Sequence, residues 1–268
     1  MFSLGFSPCP NDTFIFHALT HRAVDLRGYG FSVVIDDVEG LNCRASARTL
    51  NIAKVSCAAY IRFSDHYRFL QSGGAFGRGC GPLVIAREQA DADFLNNRTV
   101  AIPGELTTAF LLFRLFCSAA GLKTARFVPM VFHEIMPAVA AGSVDAGVII
   151  HEGRFTYQNH GLRCLLDLGL WWEEATGLPV PLGGIIAEKK LGDTVIGDME
   201  QIIRASVQYA FAHPEAAMPY IRQHAQELAE DVIRRHIALY VNEFTITIGQ
   251  EGQAALDELV QLAAAARF

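Results

Sequence analysis

The 268-residue chain contains no CxxC pair, no run of basic residues and no apolar stretch near the roughly twenty residues a membrane helix needs. Each absence removes a class. The six cysteines (Cys9, Cys43, Cys57, Cys80, Cys117, Cys164) are far apart and unaccompanied by histidine at zinc spacing, so they read as reduced, mostly buried thiols and not as a metal site or disulfide framework. Charged residues make up only 19%, and the 22 basic against 28 acidic side chains give a net charge of −6, which excludes a surface built to track phosphates. No nucleic-acid partner is expected. The opening Met1–Pro8 has neither the positive region nor the long apolar core of an export signal, so a cytoplasmic location is expected. No GxGxxG follows the first predicted strand, and neither GxxxxGK[ST] nor GxSxG occurs, which leaves dinucleotide, P-loop and serine-hydrolase chemistry without their mechanics.

What is present is apolar: 51% hydrophobic residues and a mean hydropathy of +0.24 describe a globular chain with two-sided burial. Strands are predicted at Phe2–Phe6, Phe31–Ile35, Leu83–Ala86, Thr99–Ile102, Arg126–Val131 and Ala146–Ile150, with a return strand near Gly183–Ala187. Helices are predicted at Thr13–Leu19, Cys43–Asn51, Ala109–Ala119 and Ile135–Ala141, and almost throughout 198–268. This βα rhythm favours a mostly parallel sheet. The segment Ser72–Pro82 holds five glycines, too many for a helix, and marks the chain leaving one lobe for another. The plan expected is therefore two α/β lobes, one of residues 1–95 plus 188–268 and one of 96–187, with one continuous doubly wound sheet as the alternative.

Three segments carry hydroxyls and backbone donors just ahead of apparent helix starts, where unpaired N–H groups favour an anion: Ser7–Thr13 (with Asn11), Lys54-Val55-Ser56, and Thr107-Thr108. Taken singly, each is equally an ordinary helix cap. Val148-Ile149-Ile150-His151-Glu152-Gly153-Arg154 ends a buried strand in a histidine at the edge where α/β sheets collect ligands, which makes His151 a candidate general base. Glu152 and Arg154 either tune that imidazole or hold its loop. Trp171-Trp172-Glu173-Glu174 is a candidate aromatic lid as well as ordinary packing, and Arg78, Arg154 and Lys54 are alternative holders of a substrate carboxylate.

These segments, in order, together with Gly77-Arg78-Gly79-Cys80-Gly81-Pro82 and Tyr240-Val241-Asn242-Glu243-Phe244-Thr245, resemble the 1,4-dihydroxy-6-naphthoate synthase family of the futalosine route to menaquinone. The resemblance runs from residue 2 to about residue 250. It implies a periplasmic-binding-protein-like (type II) fold used as a lyase without metal or organic cofactor. It also implies the reaction, conversion of cyclic dehypoxanthine futalosine to 1,4-dihydroxy-6-naphthoate with release of dihydroxyacetone. By the same resemblance His151 is the proton acceptor, and Lys54, Val55, Ser56, Thr107 and Thr108 contact the substrate; Asn11, in the Ser7–Thr13 segment, is a further candidate contact for a small carboxylate substrate on the reading of the residues alone. Two other readings share the fold and the capped loops: the sister chorismate dehydratase, and a non-catalytic binding protein for a small carboxylate.

Overall fold

The computed structural model describes residues 1–123, 126–225, 229–266 and 268. Part of the helical stretch expected over 198–268, residues 226–228 and 267, lies outside the described residues. The first sheet collects β1 (Phe2–Phe6), β2 (Phe31–Ile35), β3 (Ile52–Ser56), β4 (Tyr67–Phe69) and β5 (Ala75–Gly77). The second collects β6 (Leu83–Ala86), β7 (Thr99–Ile102), β8 (Arg126–Pro129), β9 (Ala146–Ile149) and β10 (Arg163–Asp167). Then β11 (Val180–Glu188) returns to the first sheet, between β3 and β4.

Two α/β units follow from these sheets, with strand orders β2-β1-β3-β11-β4 and β10-β6-β9-β7-β8. Neither is wholly parallel, contrary to the expectation from the βα rhythm. The run β2, β1, β3 is parallel, but β11 arrives from the other unit and pairs antiparallel with β3, β4 and β5. In the second sheet β7 pairs parallel with β8 and β9, while β6 runs antiparallel to β9 and β10. The chain changes sheets between Gly77 and Leu83, within the glycine-rich segment, and again between Asp167 and Val180. In strand membership both changes come before the boundaries expected at 95/96 and 187/188: β6 pairs within the second sheet and β11 within the first.

The outgoing crossing passes so close to the N-terminus of the helix Leu168–Thr176 that a Cβ on Gly169 would lie 1.8 Å from the Cys80 carbonyl oxygen. Any other residue there would force the crossing apart. Trp171 and Trp172 lie on that helix and form no lid. Trp172 is fully buried with its indole N–H donating to the Pro179 carbonyl (3.0 Å), and Trp171 packs edge-on against Phe116. None of the described helices is long and apolar enough to cross a membrane.

Local starts differ from the sequence expectations in an instructive way. The first helix is Pro10–Thr20, with Cys9 at its N-cap and proline at its first position, so Asn11 and Asp12 sit inside the first turn instead of capping it. The next helix is Val38–Ser46 rather than 43–51, because the Asp37 carboxylate accepts from the Glu39 and Gly40 amides and fixes the start. Lys54, Val55 and Ser56 are the last residues of β3, not a loop. Thr107 behaves as expected: its hydroxyl accepts from the Phe110 amide at the head of Thr108–Ala119.

Candidate functional site

Between the two sheets lies a cleft with about 690 Å³ of space free of protein atoms, part of it open to solvent, within the roughly 300–1,000 Å³ usual for small-molecule sites. The ends of β1 and β3 deliver Ser7, Asn11, Asp12, Lys54, Val55 and Ser56 to it. From the second sheet the loop after β7 delivers Thr107 and Thr108, and the end of β9 delivers His151. All seven residues expected at the site thus meet in one cleft, though 140 residues of sequence separate Asn11 from His151 (151 − 11). Its apolar surface comes from aliphatic residues, chiefly Val38, Leu41, Ile150 and Leu182; no Trp or Phe among the described residues lines it.

A hydrogen-bond network holds the first-sheet wall. Asp12 accepts at Oδ2 from the Ser7 amide (3.1 Å) and hydroxyl (2.7 Å), and at Oδ1 from Asn11 Nδ2 (3.0 Å). Lys54, buried beside it, places Nζ 3.7 Å from Asp12 Oδ1 and donates to the Gly73 carbonyl. Burial pushes the Lys54 ammonium below its ordinary pKa, and the Asp12 charge opposes that fall. Ser56 is held by Asn42, whose Oδ1 accepts from the Ser56 amide (3.0 Å) and whose Nδ2 donates to the Ser56 hydroxyl (3.2 Å). Asn42 in turn donates to Glu39, and the other Glu39 oxygen accepts from the Leu106 amide (3.0 Å) on the opposite wall. Thr108 also spans the walls: its hydroxyl accepts from the Ala58 amide (3.1 Å) and donates to the Leu182 carbonyl (2.7 Å).

His151 is built differently. It follows β9 with φ of +54°, a left-handed backbone that histidine adopts more readily than most residues and that turns the side chain off the strand line toward the cleft. Its Nε2 is buried without a hydrogen-bond partner among the described residues, and Phe132 packs against the ring at 5.1 Å. Burial lowers the imidazole's proton affinity; the charges of Glu152, Asp12 and Asp37 raise it, and that of Lys54 lowers it further. The net shift is downward, which leaves the imidazole neutral at neutral pH.

The neighbours of His151 divide their work. Arg154 reaches away from it, to the Gly81 carbonyl (3.1 Å) and the Asp167 carboxylate, and so ties the loop to the crossing segment. Glu152 acts on the imidazole by charge, its Oε2 buried without a hydrogen-bond partner. Of the three cations considered for a carboxylate, only Lys54 lines the cleft; Arg78 lies at the surface in ion pairs with Glu173 and Glu251. Sequence reasoning missed two residues of the helix Glu230–Tyr240. Tyr240 lines the cleft, its phenol kept neutral by burial, and His236 sits fully buried beneath it, with rings 4.7 Å apart. The signal was present, since Val232, His236 and Tyr240 recur at four-residue spacing on the buried face of that helix.

A family model described as menaquinone biosynthesis matches residues 2–265. A 1,4-dihydroxy-6-naphthoate synthase of Streptomyces coelicolor is 49% identical over 98% of this chain and 92% of its own length. One from Thermus thermophilus is 49% identical over 96% and 91%. Among solved structures, a protein of Archaeoglobus fulgidus superposes with a TM-score of 0.91 at 34% identity, over 98% of this chain and 97% of that one. A Candida albicans protein described as having the generic periplasmic-binding-protein fold gives 0.75 at 13% identity, covering 99% and 90%. The likeness of the last shows the type of fold alone.

Proposed function

The chain belongs to the menaquinone-biosynthesis family as an enzyme of the 1,4-dihydroxy-6-naphthoate synthase kind, and from that premise we propose that it is a lyase acting on cyclic dehypoxanthine futalosine. In this reading the products are 1,4-dihydroxy-6-naphthoate and dihydroxyacetone, and His151 is the general base. The observation that carries the base assignment is a neutral imidazole whose Nε2 has no partner among the described residues, turned into a cleft where Ser7, Asn11, Asp12, Lys54, Ser56, Thr107 and Thr108 are each already hydrogen-bonded to protein. His151 takes a proton from the bound substrate; the electron pair left behind opens the spiro ring, expels the three-carbon sugar fragment and leaves an aromatic naphthalene. Much of the driving force is the product's aromaticity. The protein contributes placement of the base, exclusion of water and donors aimed at oxygen as it gains charge.

Asn11, Lys54, Val55, Ser56, Thr107 and Thr108 contact the substrate in this reading, with Lys54 nearest in chemistry to what a carboxylate needs and the aliphatic patch facing the ring system. The decisive experiment is turnover by purified wild type and His151→Ala, both verified as folded by circular dichroism. Wild type should release naphthoate and dihydroxyacetone in equal amounts, and the variant should lose at least about a hundredfold in kcat, the lower bound for a general base. Wild-type rates in the variant would remove the base assignment. Turnover of chorismate instead, or tight binding with no turnover, would replace the lyase reading with one of its alternatives.

A further inference from the structure

Behind His151 stands a second imidazole for which the proposed chemistry has no use. His236 is completely buried, and its ring lies 6.1 Å from that of His151 at an interplanar angle of 22°. Its Nε2 is 3.0 Å from Asn11 Oδ1, while its Nδ1 is buried without a partner.

The network fixes where the protons are. The Asp12 carboxylate, already accepting from Ser7 and paired with Lys54, can only accept, so the end of the Asn11 amide that faces it is the NH2 group. The other end, facing His236, is therefore the carbonyl, which also only accepts. The His236 atom that meets it must then carry a hydrogen. His236 is thus the Nε2–H tautomer, and its lone pair resides on the orphaned Nδ1. Burial and the nearby His151 both keep the ring uncharged. Asn11 itself lines the cleft with its carbonyl committed on one side and one N–H committed on the other; its second N–H has no acceptor among the described residues.

We propose that His236 is a positioning residue that locks the Asn11 amide so that the cleft meets a hydrogen-bond donor, and that the substrate atom bound there is an acceptor oxygen. The proposal rests on the reading of Asn11 as a substrate contact. A histidine that merely fills the core would be replaceable by any side chain of similar volume. One that orients Asn11 is replaceable only by a side chain that keeps a donor at the Nε2 position, as glutamine does.

The test is a double-mutant cycle with a rescue. His236→Met should lower kcat/KM by about tenfold, mostly through KM, as expected when one hydrogen bond to a bound ligand is misdirected. His236→Gln should stay within about threefold of wild type, since the donor is retained. In an Asn11→Ala background His236→Met should cost nothing further, because the residue it acts through is gone. Multiplicative effects in the cycle, or a glutamine variant as impaired as the methionine variant, would overturn the proposal. A second measurement needs no variant and no substrate: nitrogen-15 NMR of histidine-labelled wild type at neutral pH should give a protonated Nε2 and an unprotonated Nδ1 for His236. The opposite tautomer sinks the argument whatever the enzyme does. An inactive wild type that shows the expected tautomer would instead sink the lyase reading, and with it the choice of ligand, while leaving the lock between His236 and Asn11 standing.

Discussion

The two walls of the cleft solve different problems with similar residue types. On the first wall Ser7, Asn11, Asp12, Lys54 and Ser56 are each tied to another protein group before any ligand arrives. On the second, His151 sits on a left-handed turn with its Nε2 unpartnered. A prepaired wall offers fixed geometry and resists rearrangement; an unpartnered imidazole keeps a lone pair for a proton. The contrast implies that damage to the first wall shows up first as lost stability, and damage to the second as lost chemistry.

The strongest way to break that contrast is Lys54→Met. The side chains of Lys54 and Asp12 are 8% and 4% exposed, and removing the ammonium leaves a buried carboxylate short of its cation. Losing one partner of a buried pair of this kind costs about 3 kcal/mol of folding stability. Urea unfolding followed by circular dichroism should show that loss, whereas His151→Ala should unfold within about 1 kcal/mol of wild type. Equal stability losses at the two positions would mean that the walls do not differ in the way the hydrogen bonds imply.

A second, smaller effect sharpens the comparison through pH. Burial lowers the affinity of both His151 and His236 for protons below the ordinary value of 6.5. The unfolded chain therefore protonates these two groups first as pH falls, and between 6.5 and the folded values it binds more protons than the native state. Stability is then full above 6.5 and declines as pH drops below it, by up to about 1.4 kcal/mol per pH unit for each group. Unfolding free energies measured from roughly pH 7.5 to roughly pH 5.5 should show this slope, and His236→Gln should make it shallower by removing one of the two titrations. An unchanged slope would mean that His236 protonates normally in the fold.

How much of this was legible in the sequence depended on how locally each feature is encoded. The ends of β7 and β9, the Thr107 cap and the glycine-rich crossing are set by neighbours within a few residues, and all were readable. The prepaired wall was not. Asn11 is 225 residues from its partner His236, and Glu39 is 67 from the Leu106 amide it accepts from. Such partners are chosen by the approach of two sheets, which no local pattern reports. The direction of β11 was hidden for the same reason: its residues read as a strand, but its antiparallel pairing with β3 depends on where the chain re-enters the first sheet. Pro10 shows the opposite failure, a local start signal passed over in favour of a helix beginning at Thr13.

The finest test addresses why His151 stands where it does. Its φ of +54° is easy for glycine and unfavourable for alanine, whose Cβ crowds the backbone there. His151→Gly and His151→Ala remove the same imidazole and should be equally inactive. The glycine variant should nevertheless be the more stable of the two by about 1 kcal/mol in urea unfolding. An alanine variant as stable as glycine would show that the left-handed turn costs nothing, leaving the imidazole's direction to be set by the packing of Phe132. The expected order would instead show that the backbone holds a mildly unfavourable conformation at this one position on the second wall, so that the free imidazole faces a wall whose polar side chains are each already held by a protein partner.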